Sequence, residues 1–144
     1  MLLVTVVLCG CSAQKMNESG IEQRSLLWSQ NNGEYGTVPI QLSSADYDVL
    51  EILCSVTNDE GAPIAISRSP KGRTAVCTTP SLDTSGKGSL YDTFMMQRSF
   101  EYVDDTTLQP SSGWLYRYDD SELNEHPYFM IPVRIYGIKM NLAE

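Results

Sequence analysis

Histidine is almost missing from this chain: His126 is the only one. It stands between Glu125 and Pro127 in a polar stretch, which reads as a solvated loop position. A catalytic base needs a second group to hold it, and none is in view. Cysteine is scarce too, with four residues in 144 and no C-x-x-C spacing. Zinc binding is therefore not expected. Basic residues never cluster. Ten Lys and Arg are scattered singly against 18 Asp and Glu, for a net charge of −8. Phosphate recognition needs concentrated positive charge, so nucleic acid is not an expected partner. No apolar run is long enough to span a bilayer. No stretch holds the 3.6-residue period of an amphipathic helix.

Constellations that carry chemistry are equally thin. Asp104-Asp105, and Asp119-Asp120 with Glu122, lack the alternating ligands and central glycine of a calcium loop. Glycosidase carboxylates from separate strands stay open, but turn and solvated-loop roles are the favoured reading. Lys71-Gly72-Arg73 and Ser85-Gly86-Lys87-Gly88 match no phosphate loop. The expectation is no catalytic residue, no metal, no cofactor and no enzyme activity.

What the chain does have is a period of two. In Tyr128–Lys139, Phe129, Ile131, Val133 and Ile135 alternate with Met130, Pro132, Arg134 and Tyr136. One row can face a core and the other solvent. Pro132 has no N–H to give, so it suits an edge strand or the non-bonded side of a ladder. Further strands are expected over Arg24–Ser29, Thr37–Leu42, Tyr47–Val56, Ala62–Ser67, Arg73–Thr78, Leu90–Val103, Thr106–Gln109 and Trp114–Tyr118. Asp119–Pro127 is expected to be a polar loop. About eight short strands with turns between them predict an all-β fold: a single antiparallel sandwich or jelly roll. With 42% apolar residues, the chain is long enough for a real core. Leu50, Ile52, Phe100, Ile131, Val133 and Ile135 are its expected members. The sandwich is expected over residues 24–139, after a leader (1–11) and a linker (12–23), with residues 140–144 as a tail.

Cys54 and Cys77 both lie in strand-like apolar runs. Two buried free thiols are the favoured reading. A disulfide is open only for an exported protein. Aromatics gather late in the chain. Trp114, Tyr116 and Tyr118 are spaced by two, so they share one strand face, and the acidic Asp119 and Asp120 follow them. If that face points outward, three rings form a stripe beside an acidic loop, suited to neutral or cationic surface glycans. If it points inward, the rings fill the core. These five residues are the candidate binding site.

Two resemblances stand beside this reading. Met1–Leu8 followed by Cys9-Gly10-Cys11-Ser12 resembles the end of a bacterial lipoprotein signal. Leu8-Cys9-Gly10-Cys11 would be the lipobox, Cys11 the lipidated residue, and Cys9 would be removed. No Lys or Arg precedes the apolar run, which departs from the usual pattern. An N-terminal strand and a mis-called start codon are the other readings of that segment.

Leu27-Trp28-Ser29, Val38-Pro39-Ile40-Gln41-Leu42, Asp46-Tyr47-Asp48-Val49-Leu50-Glu51-Ile52 and the Arg98-x-Phe100 pair carry the second resemblance, with the closing run Ile131-Pro132-Val133-Arg134-Ile135-Tyr136-Gly137-Ile138. Together they resemble the C-terminal β-rich module of tail fibre and tail tip proteins of Firmicutes phages, over roughly residues 26–139. That resemblance implies a virion structural or host-contact module with no catalytic residues. Tail proteins assemble in the cytoplasm and need no export signal, so the leader points elsewhere. The expected location is the virion, with the lipid-anchored cell envelope as the alternative. Expected partners are a cell-surface glycan or other virion proteins. A membrane would be reached only through a lipid on Cys11, and self-association stays open.

Overall fold

Ten strands in two antiparallel sheets pack face to face in the computed structural model, which describes residues 22–30, 37–57, 62, 64–82, 93–117 and 123–140. No helix occurs among the described residues. The strands are β1 (Glu22–Ser29), β2 (Ile40–Gln41), β3 (Val49–Ser55), β4 (Ile64–Pro70), β5 (Ala75–Leu82), β6 (Thr93–Asp104), β7 (Thr107–Pro110), β8 (Gly113–Arg117), β9 (Leu123–His126) and β10 (Ile131–Met140). One sheet runs β1-β10-β3-β4. The other runs β2-β7-β6-β8-β9, with β5 on the free flank of β6.

Alternation decides what each strand buries. Leu50, Ile52 and Cys54 of β3 face inward and meet Ala75, Cys77, Met96 and Phe100 from the opposite sheet in one apolar core. The intervening Val49, Leu53 and Ser55 are only half-buried. Burying such side chains stabilises by about 1.5–3 kcal/mol each, and this holds the two sheets together. A polar strut crosses this core: the hydroxyls of Tyr47 and Tyr102 lie 3.0 Å apart. Burial, and then that hydrogen bond, push the Tyr47 phenol above its ordinary range.

The closing strand departs from its expected form in two ways. β10 is an interior strand between β1 and β3, so Pro132 is not on an edge. It is tolerated because a register shift between Pro132 and Arg134 interrupts the ladder to β3, and β1 pairs only as far as Arg134. Val133 is the extra residue in this bulge. Its carbonyl oxygen accepts from the Gln30 N–H at 3.0 Å. Across the bulge the inward row changes from even to odd: Pro132 lies beside Cys54, and Ile135 beside Ile52. Val133 is therefore half-buried, while Leu50, Ile52, Phe100, Ile131 and Ile135 are buried as expected.

Other corrections are smaller. Thr37–Leu42 shrinks to the two residues of β2, with Val38 exposed. The stretch expected to be a polar loop contains β9, so His126 ends a strand. Residues 127–130 form a turn before β10 begins.

On the outer side of the first sheet, Glu51 is almost fully buried between two arginines. Arg24 approaches it at 2.5 Å and Arg68 at 2.7 Å. Arg24 also lies 3.5 Å above the Tyr136 ring. Burial raises the Glu51 carboxyl, but hydrogen bonds and charge from Arg68 and Arg24 outweigh it and hold the group below its ordinary value. The stability it contributes is thus present above the ordinary carboxylate range and lost as pH falls through the lowered value. The arginine side chains are 45% and 53% exposed, so water screens much of the attraction. Glu51→Gln is expected to lose about 1 kcal/mol near neutral pH. It is also expected to flatten the acid limb of a stability–pH curve measured by urea unfolding. An unchanged acid limb would refute the assignment.

Candidate functional site

β8 is short, with the sequence Gly113-Trp114-Leu115-Tyr116-Arg117. Leu115 packs against the core, and Gly113 is buried. Trp114 and Tyr116 therefore stand on the opposite side, the outer face of the larger sheet. Tyr116 is 38% exposed and Trp114 half-buried. Of the two orientations open for this stripe, the structure takes the outward one for Trp114 and Tyr116.

The register builds a surface around them. Trp114 pairs with Gln97, and Tyr116 with Met95. Across β6, Gln97 pairs with Thr78, Met95 with Pro80, and Ser99 with Val76. Met95, Gln97, Val76, Thr78 and Pro80 are all exposed. None of these side chains carries a formal charge. Glu125 of β9, opposite Trp114, brings a negative charge to one border. The result is a flat, neutral patch three strands wide with two aromatic rings and amide, hydroxyl and thioether groups among them. Such a face can stack on a ring and hydrogen-bond to hydroxyls; these residues offer no cationic side chain to a phosphate.

Behind β8, a turn is fixed from inside the core. Arg98, fully buried, donates from Nη2 to the Pro127 carbonyl oxygen at 2.9 Å. Met130 adopts φ 54°, a left-handed conformation unusual for a side-chain-bearing residue, and its N–H bonds to the Val56 carbonyl oxygen at 3.0 Å. His126 accepts from the Tyr128 N–H at Nδ1 at 3.3 Å, and its ring lies 4.7 Å from that of Phe129. This histidine is exposed and held by aromatic neighbours.

Of the five site residues read from the sequence, Trp114 and Tyr116 share the outer face. Tyr118, Asp119 and Asp120 lie outside the described residues, as does Cys11. The additions are Met95, Gln97, Val76, Thr78 and Pro80. Their strands were legible except at Pro80, which lies in β5 beyond the expected strand end at Thr78, and nothing in the sequence signals which residues of β5 and β6 stand beside Trp114. Among the described residues, no three His, Cys, Asp or Glu side chains gather where they could hold a metal ion. No helix among them is long and apolar enough to cross a membrane.

No family model, curated protein or solved structure matches this chain.

Proposed function

We propose that this domain is a non-enzymatic attachment module that takes neutral surface glycan on the outer face of its larger sheet. The outward stand of Trp114 and Tyr116 on an uncharged patch supports this reading. Aromatic rings fixed on a strand contribute contact area with little entropy to lose, and they stack on the apolar face of a sugar ring. Gln97 and Thr78 supply hydrogen-bonding groups beside them. The net charge of −8 repels polyanionic wall polymers and leaves neutral ones free to approach.

The test is affinity electrophoresis through gels containing neutral cell-wall polysaccharide, with a polyanionic teichoic-type polymer as the contrast. Trp114→Ala and Tyr116→Ala are each expected to weaken retardation about tenfold, the loss of roughly one stacking contact. Their melting temperatures should stay near that of the parent. Unchanged retardation in folded variants would end the reading.

Two carriers suit such a module. The closing run Ile131–Ile138 favours a phage tail, where the module would touch the host or other virion proteins. The spacing Leu8-Cys9-Gly10-Cys11 favours a lipid-anchored envelope protein. Mass spectrometry of the N-terminus separates them, because acylated Cys11 belongs only to the second.

A further inference from the structure

The core holds two thiols that the binding face does not use. Cys54 projects from β3 in one sheet and Cys77 from β5 in the other; both are fully buried. Both belong to one buried cluster between the sheets, where β5 lies in contact with β3. Cys77 reaches further still: its Sγ lies 3.8 Å from the Ile52 carbonyl oxygen, on the strand that carries Cys54. The lateral neighbours of Cys54 are Ala65 and Pro132, and that of Cys77 is Arg98. No other cysteine is near among the described residues, so each thiol has one partner of its kind.

We propose that Cys54 and Cys77 are an oxidation site and form an inter-sheet disulfide when the chain folds in a thiol-oxidising compartment. The inference is independent of the glycan face. It ties the redox state of the core to the compartment, since reducing cytosol would keep both thiols.

The oxidant is a disulfide of the glutathione class or a thiol oxidase acting by the same exchange. One cysteine thiolate attacks the glutathione disulfide, forming a mixed disulfide and releasing one glutathione thiolate. The second cysteine thiolate attacks the protein-side sulfur and releases the other glutathione thiolate. The two cysteines lose two electrons between them and glutathione disulfide gains two. The two thiol protons end on the two glutathione thiols. Burial shields the folded pair and raises the Cys54 thiol, which disfavours the attacking thiolate. Exchange therefore belongs to the folding chain, before β5 closes over β3.

The experiment refolds the full chain from denaturant with reduced and oxidised glutathione, then alkylates it under denaturing conditions without reductant. Tryptic mapping is expected to find peptides 25–68 and 74–87 joined, about 2 Da lighter than the sum of the two reduced peptides. A reductant added after folding should lower the melting temperature by about 10 °C. The Cys54→Ala/Cys77→Ala variant should melt at one temperature with or without reductant. Alkylation of both cysteines after oxidative refolding would overturn the proposal. So would a persistent glutathione adduct on either cysteine, because it would show that the second exchange cannot close.

Discussion

Alanine at Gly113 is expected to cost about 3 kcal/mol of folding stability, a large loss for one methyl group. The reason is where that methyl would go. A Cβ built on Gly113 falls on the Phe129 carbonyl oxygen and 2.7 Å from the His126 carbonyl oxygen. Both are backbone atoms, so neither can rotate away. Gly113 pairs with His126 in the β8–β9 ladder, and Arg98 pins the adjoining turn from behind. Relief would require moving the turn, the strand or both. Gly72→Ala is the control. Its φ of 78° strains an L-residue, but open space surrounds its Cβ position, so only about 1 kcal/mol is expected. Urea unfolding of the two variants measures the contrast. Equal losses would mean that the close approach at Gly113 is not the constraint.

Phe100→Ala is expected to cost about 4 kcal/mol in the same measurement. Phe100 is fully buried where β6 changes neighbours. It pairs with Ala75 on one flank and Pro110 on the other, while β8 pairs with β6 only at residues 94–97. The join between β8 and β7 is made by Ser111, which donates its N–H to the Ser99 carbonyl oxygen at 2.8 Å and accepts the Ser99 N–H on its hydroxyl at 3.0 Å. Ala75 and Pro110 are too small and too fixed to fill the space a missing phenyl ring would leave. A loss below about 2 kcal/mol would show that the sheets can close over the gap.

The all-β class was legible because alternation runs through most of each long strand. β3 and β6 carry it cleanly, and the placement of Leu50, Ile52 and Phe100 follows from it. In β10 a single alternating frame does not hold, because the inward row changes parity at the bulge. A bulge leaves no compositional mark, so Val133 looks like a member of a row that its backbone has left. β9 escapes for the opposite reason. Leu-Asn-Glu-His has no alternation to read, and only pairing with β8 makes it a strand. At the candidate site, spacing by two placed Trp114 and Tyr116 on one face, but their direction depended on Leu115 finding the core. The neighbours Met95 and Gln97 depended on long-range register, which local patterns do not encode. The meeting of Cys54 and Cys77 has the same origin, since it arises between sheets rather than along a strand.

The place of β10 has a kinetic consequence. The last of the described strands to be synthesised fills the middle of its sheet, with β1 on one side and β3 on the other. Glu22 pairs with Met140, so this ladder links the extremes of the described chain. Until β10 arrives, β1 has no strand partner among the described residues, and one flank of β3 is bare. The smaller sheet therefore assembles after synthesis has passed Met140, by contacts of high sequence separation that close slowly. In that interval the nascent chain carries unpaired apolar strand edges, the condition under which folding intermediates aggregate.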